Sequence, residues 1–480
     1  MSPSVFDPRL ESVTVAKTRL SDIDGEAGAL QVAGYPIEDL ATEATYEEAL
    51  YLLLHDRLPT AEELATFEGE LAVSRAIGDD LSALLRAAAD GGLSAMDALQ
   101  VGTAAAKLDS EPSTATAAAR RVVAVVPTIV ATYWRYRQGE EPVEPRSDLG
   151  HAANYLYMLT GNEPAEPAVH ALETFLVTAI DHGLNPSTFT ARTVVSTESD
   201  LVSAAAAAAG AMKGRRHGGV FGPTYDALRA VHDSGDPEAY VHDRLDAGEG
   251  VPGFGHRLYQ VRDPRAAVMA AAAERFYEGV DDFYATVEAF EATATDILAD
   301  REPDRHARPT LEFYAVALLH GLDIPSELFT ATFAISRVGG WMAHCLEQQA
   351  DDSLIRPVSR YVGAKDRTWT PIEQRDGDTD AAVGQPLQSA SLERVAETLA
   401  TLSEPSRLEI LLALSSADSA VEYSTLHEAT SIEDKGRFNY HLRQLREFFV
   451  TKEAEKYVLT DAGDQLVRTI VSEDQLLDRE

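Results

Sequence analysis

A single cysteine in 480 residues, Cys345, leaves nothing to pair into a disulfide and no thiolate set for a metal. Its neighbours in Trp341-Met-Ala-His-Cys-Leu346 are mostly apolar, so the thiol reads as buried rather than nucleophilic. The N-terminal MSPSVFDPRL has no apolar signal core. No run of about 18 uninterrupted apolar residues occurs; 122–134 is shorter and contains Pro127. The expectation is a soluble, cytoplasmic protein with no membrane contact. Basic residues are also scarce: 41 Lys+Arg face 78 Asp+Glu, a net charge of −37. Bulk attraction to nucleic acid or an anionic membrane is thereby excluded. Arg outnumbers Lys, and an acidic, Lys-poor surface fits a halophilic protein, whose self-repulsion is screened by salt. An ordinary acidic cytosolic protein is the plainer alternative.

Strand signals are few. Apolar residues recur at three- and four-residue spacing over 45–54, 97–108, 122–137, 151–159, 168–181, 202–212, 264–279 and 311–320, which predicts helices. The alanine-rich 202–212 suits close helix packing. The first 365 or so residues therefore read as one large all-α region. Composition changes over 366–388, where Pro, Gly and Asp gather, and its second half reads as an exposed linker. The tail predicts helices over 392–402, 406–414, 424–430 and 435–449, strands over 450–453 and 456–460, and a last helix from Asp461. Helices followed by a hairpin is the order of a winged helix.

Three histidines sit against glycine: Asp181-His182-Gly183, His217-Gly-Gly219 and Gly253-Phe-Gly-His256-Arg257. Glycine lets backbone approach a ligand and permits the turn that exposes a ring. Imidazole can donate to a developing oxyanion or act as a general acid near neutrality. His55, His151, His170, His232, His242, His306, His320 and His344 read as helix-end or surface residues. Arg265, Arg337 and Arg356 form a second set; a planar guanidinium suits bidentate capture of a carboxylate, although a structural salt bridge accounts equally for any one of them.

The order of these motifs resembles the citrate synthase family over about residues 10–375. The resemblance is carried by Arg19-Leu-Ser-Asp-Ile-Asp-Gly25, Gly34-Tyr-Pro-Ile-Glu-Asp-Leu40, Pro127-Thr-Ile-Val130 and Tyr136-Arg-Gln-Gly139. More specific are Asn185-Pro-Ser-Thr-Phe-Thr-Ala-Arg192 and Met212-Lys-Gly214 with His217-Gly-Gly219. Most specific are Pro252-Gly-Phe-Gly-His-Arg-Leu-Tyr259 with Asp263-Pro-Arg265, and Phe333-Ala-Ile-Ser-Arg337 with Gly340-Trp341 and Ala343-His344.

The resemblance implies an all-α citrate synthase-like fold of a large and a small helical domain, the smaller, acyl-CoA-side one at about 215–320. It implies a homodimer that condenses acetyl-CoA or propionyl-CoA with oxaloacetate, with no metal and no cofactor. By the same resemblance His182, Arg265, Arg337 and, from the partner subunit, Arg356 hold oxaloacetate. His217 stabilises the enol and His256 acts as acid. At the base, where the family has Asp in an Asp-Phe-Tyr context, this chain reads Leu311-Glu-Phe-Tyr314, placing Glu312 there. The extra methylene changes reach by about 1 Å in a transfer that depends on position. Glu312 also suits a helix start on charge grounds alone. Further departures are Gly183 where Glu is usual, Gln260 where Lys is frequent, and Ser94-Ala-Met-Asp97 where His-Pro-Met-Asp is expected.

The tail, over about residues 388–470, resembles ArsR-like winged helices through Ser403-Glu-Pro-Ser-Arg407, Phe438-Asn-Tyr-His-Leu-Arg-Gln-Leu445 and Tyr457-Val-Leu-Thr-Asp-Ala-Gly463. The expected division is therefore 1–375, a linker at 376–388, and an α+β winged helix-turn-helix domain at 389–480. Lys435, Arg437, Arg443 and Arg446 offer a basic stripe for phosphates, and Asn439, Tyr440 and Gln444 could read base edges. A protein-interaction role fits the acidic tail equally. The whole chain then reads as an acyltransferase or, alternatively, as a dicarboxylate-sensing transcriptional regulator with weak or no synthase activity.

Overall fold

The computed structural model describes residues 7, 9–10, 13–106, 114–277, 282–301, 308–359, 361–363, 365, 367–372, 404–417, 420–432, 434–446, 449–453, 456–460, 463 and 467. The expected linker at 376–388, the helix at 392–402 and nearly all of the final helix lie outside them. The chain divides into two compact units, Met1–Ser359 and Arg360–Glu480.

The first unit opens with a small antiparallel sheet, β1 (Ser21–Asp24), β2 (Ala29–Val32) and β3 (Tyr35–Pro36), in that spatial order. Helices follow: α1 (Ile37–Glu43), α2 (Tyr46–His55), α3 (Ala61–Ala72), α4 (Asp79–Asp90), α5 (Ala95–Ala105) and α6 (Ala115–Arg137). Then come α7 (His151–Thr160), α8 (Glu166–Ala179), α9 (Pro186–Val195), α10 (Leu201–Met212), α11 (Phe221–Ser234) and α12 (Pro237–Asp246). α13 (Pro264–Tyr277), α14 (Asp282–Arg301), α15 (Leu311–Gly321) and α16 (Phe329–Asp351) complete it. Sequence periodicity misses the sheet because its strands are two to four residues long, too short to alternate visibly.

Local chemistry sets the helix starts. Thr45 with Glu48 and Thr60 with Glu63 form capping boxes for α2 and α3. Asn185 caps α9 just ahead of Pro186, a residue preorganised for the first turn. α6 is long and apolar enough to cross a bilayer, yet 67% of its most apolar window is buried within the protein, as in a core helix. α16 packs on α6, α8, α9 and α10 and is buried along most of its length. Gly340 makes this possible: a Cβ there would stand 2.3 Å from the Ile180 carbonyl oxygen and 2.8 Å from Asp181 Oδ1. α16 is thereby seated directly against the segment that carries His182.

The second unit has its own apolar core, including Ile410, Leu414, Leu426, Phe438, Leu442 and Val450. Its described elements are α17 (Pro405–Ser415), α18 (Tyr423–Glu428), α19 (Lys435–Leu445), β4 (Val450–Glu453) and β5 (Lys456–Leu459). β4 and β5 pair antiparallel, and Val421 bridges to Tyr457. The third helix ends at Leu445, shorter than the expected 435–449.

Candidate active site

Six side chains expected from sequence come from six separate places. His182 follows α8, His217 lies between α10 and the short 3-10 turn Gly218–Val220, and His256 sits in the loop before α13. Arg265 and Glu312 occupy the first turns of α13 and α15, and Arg337 the middle of α16. Electrostatics ties them into one site. Arg265, Arg337, His256 and His217 all bear on His182, and Glu312 bears on His256, Arg265 and Arg337. The His182 and His256 rings meet edge-on with centroids 5.6 Å apart.

The positions expected to supply the acid and the base are tied through backbone. Thr310 N–H donates to Gly253 O at 2.9 Å, and Gly255 N–H to Arg308 O at 2.9 Å. Phe254 and Pro309 thus form a one-bridge ladder joining the His256 loop to the start of α15. Gly253 and Gly255 both have φ of +84°, a conformation glycine adopts without Cβ strain. A Cβ on Gly253 would also come within 2.9 Å of Phe313 and Thr224.

Each histidine has a defined hydrogen-bond setting. His256 Nδ1 accepts from Leu258 N (3.1 Å) and Tyr259 N (3.4 Å), so the neutral ring carries its proton on Nε2. Burial, with Arg265 nearby, lowers its proton affinity below the ordinary histidine value, though Asp263 and Glu312 oppose this. His217 Nε2 lies 2.8 Å from Ser187 Oγ, which also receives Trp341 Nε1–H at 3.0 Å and donates to Asn185 Oδ1 at 2.8 Å. Burial, then Arg337, pushes His217 down to about 4. Burial and the two arginines also drive His182 well below its usual range. All three rings are therefore neutral near pH 7.

The arginines differ in how they are held. Arg265 donates Nε to Asp263 Oδ1 (3.0 Å) and Nη2 to Oδ2 (2.8 Å), a buried bidentate pair. Burial opposes its charge most strongly, but Asp263, Tyr259 and Glu312 together outweigh that and raise its proton affinity. Arg337 donates Nε to Ala179 O at 2.6 Å, while its buried Nη2 has no hydrogen-bond partner among the described residues. Burial pushes Arg337 down to about 10, and Asp181 opposes that fall. A buried, unpaired guanidinium N–H is costly unless a ligand satisfies it, and a carboxylate is the matching acceptor.

Arg356 is not brought to these residues; it is exposed, with no hydrogen bond or ion pair among the described residues. Glu312 is half-buried. On α19 the side chains of Lys435, Arg437, Asn439, Tyr440 and Arg443 are exposed, as is Arg446 at its C-cap, and Gln444 is half-buried, while Phe438, His441, Leu442 and Leu445 face the core. Cys345 is buried, and burial pushes its thiol up to about 12.

Sequence reading missed the partners that aim these groups. His344 was expected at a helix end or surface, but it lies fully buried within α16, with Nε2 3.2 Å from Asp181 Oδ1. Its Nδ1 lies 3.1 Å from Arg192 Nη1, and Arg192 in turn binds Glu347 and Gln348. His151 is likewise buried rather than superficial. The signal for Ser187 and Arg192 was present in the motif 185–192, and for Asp263 in the motif 263–265, but nothing in a linear motif assigns hydrogen-bond partners. Among the described residues no group of three His, Cys, Asp or Glu side chains is placed to hold a metal.

A helical unit that gathers two buried arginines and three neutral histidines defines a site suited to a dicarboxylate and to hydrogen-bond donation at a ligand oxygen. The chain belongs to the citrate synthase family: the family profile described as citrate synthase, C-terminal domain, matches residues 9–358. It is 43% identical over 378 residues to a citrate synthase of Haloferax volcanii, covering 76% of this chain and 98% of that one. It is 37% identical over 371 residues to a 2-methylcitrate synthase of Mycobacterium tuberculosis, covering 75% and 91%. A citrate synthase of Thermoplasma acidophilum, solved as a ternary complex with carboxymethyl coenzyme A and oxaloacetate, superposes with a TM-score of 0.70 at 28% identity, covering 76% and 98%. Residues 395–470 match a profile described as a domain of unknown function.

Proposed function

We propose that the chain condenses the α-carbon of acetyl-CoA or propionyl-CoA with the ketone of oxaloacetate and hydrolyses the thioester, releasing citrate or methylcitrate and CoA. The observation that carries this is the convergence of neutral His217 and His256 with Arg265 and the unsatisfied Nη2 of Arg337. His182, Arg265 and Arg337 hold the dicarboxylate. The Glu312 carboxylate takes a proton from the α-carbon, and the electron pair moves onto the thioester oxygen. His217 donates to that oxygen once the Ser187 hydroxyl turns its one proton from Asn185 Oδ1 to Nε2, which leaves the neutral ring's own proton on Nδ1. The enol carbon attacks the ketone carbon, and His256 Nε2–H protonates the ketone oxygen. Water then cleaves the thioester. No step calls for a resident metal or cofactor.

The exposed Arg356 supports a homodimer in which each subunit lends this residue to its partner's oxaloacetate site. The net charge supports work in a saline cytoplasm. The test is thiol release by purified protein with oxaloacetate and each acyl-CoA in high salt. No release with either, while oxaloacetate still binds, refutes the enzyme reading.

A second reading is favoured by the exposed polar and basic face of α19. Three helices and a hairpin fit an ArsR-like winged helix that contacts DNA or a protein and couples it to the dicarboxylate site. A salt-sensitive gel shift with the chain's own promoter region supports DNA contact; no shift favours a protein partner.

A further inference from the structure

Tyr259 touches three groups of the site, and the reaction as proposed gives it no role. Its side chain is buried. The hydroxyl lies 3.0 Å from His182 Nε2. The Arg265 guanidinium carbon sits 5.9 Å from the ring centroid. The ring also packs on His256, with centroids 4.9 Å apart at 38°.

The direction of this bond follows from the donor inventory. His182 Nε2 is the one hydrogen-bond partner of the Tyr259 hydroxyl among the described residues, and a buried phenolic proton needs an acceptor. The single phenolic proton is then left for His182 Nε2, which must be the unprotonated nitrogen. His182 is neutral, so it has one ring proton, and its place matters. We infer that Tyr259 is a positioning residue, whose buried hydroxyl places the His182 proton on Nδ1, the nitrogen left for oxaloacetate. Carboxylate and ketone oxygens offer lone pairs only, so an unprotonated Nδ1 would repel them. One residue thus ties the oxaloacetate arginine, the oxaloacetate histidine and the ring of the acid together. The identity of the ligand rests on the proposed condensation; the tautomer does not.

The test is Tyr259→Phe in the full-length chain, which keeps the ring against His256 and removes one oxygen. Histidine is labelled with nitrogen-15, and the His182 signals are assigned by their loss in His182→Gln. In the wild type without substrate, Nε2 is unprotonated and Nδ1 protonated. In the variant the proton is shared, and the two nitrogen shifts move towards each other. Oxaloacetate affinity by calorimetry falls about tenfold, the worth of one hydrogen bond, and KM for acyl-CoA changes less than twofold. A protonated Nε2 in the wild type, unchanged ring nitrogens in the variant, or oxaloacetate affinity within twofold each overturn the inference. If the wild type releases no thiol, the proposed activity fails, and the ring-nitrogen measurement still decides the role of Tyr259.

Discussion

Replacing Glu312 by Gln removes a carboxylate and keeps its shape, so it separates chemistry from binding. Glu312 sits in the first turn of α15, tied through Thr310 and Arg308 to the His256 loop. Its charge acts on His256, Arg265 and Arg337 together. Two consequences follow, and they have opposite signs. Loss of a positioned general base costs about 10²–10⁴ in rate, or about 3–5 kcal/mol at 1.36 kcal/mol per decade. Loss of a negative charge facing two arginines removes a competitor of the incoming dicarboxylate, so oxaloacetate binds as well as before or more tightly. The expected result is a collapse of kcat with an equal or lower Kd for oxaloacetate. Solvent deuterium uptake into the acyl-CoA α-carbon isolates the first effect, and calorimetry the second. Exchange within tenfold of the wild type sinks the base assignment. A parallel loss of oxaloacetate binding would instead make Glu312 a structural counter-ion of the arginines.

His256→Ala abolishes thiol release while circular dichroism and melting stay near wild type, because the ring is held mainly by backbone amides; near-normal turnover refutes its role as acid. Gly340→Ala forces a methyl against the Ile180 carbonyl and Asp181, and overpacking of this kind costs roughly 1–3 kcal/mol; an unchanged urea midpoint contradicts the close seating of α16. Burial, with Glu47 nearby, pushes Glu173 up to about 8. The unfolded chain therefore holds fewer protons than the folded one between the ordinary glutamate value and about 8, and this group's contribution falls as pH rises through that window. Glu173→Gln removes the penalty and can still accept from Tyr46 N, so its melting advantage over wild type grows from pH 5 to 9; a constant difference refutes the shift. His151, pushed by burial to about 3, acts in the opposite sense: its contribution is full above about 6.5 and declines as pH falls towards 3.

How far the site could be read in the sequence depended on whether a function lies in one motif or between motifs. His182, His217, His256, Arg265 and Arg337 each stand beside a glycine or within a patterned helix, and these local contexts are visible in one dimension. The helices at 151–160, 201–212 and 311–321 were legible from their recurring apolar residues, because each is buried along most of its length. The three-stranded sheet was hidden, since such short strands take their stability from pairing rather than from their own pattern. The aiming partners were hidden for a related reason. Ser187 orients His217 across 30 residues, Tyr259 meets His182 across 77, and His344 meets Asp181 across 163. A buried polar side chain is satisfied by whatever the fold brings to it, and one chain read alone gives the donor without its acceptor. That asymmetry explains why His344 looked unremarkable. An apolar helix with one histidine resembles a surface-facing interruption until the opposite wall supplies Asp181. Once it does, the same residue becomes part of the frame holding His182 and Arg337, and substitutions at such frame positions should alter oxaloacetate binding without touching the reacting atoms.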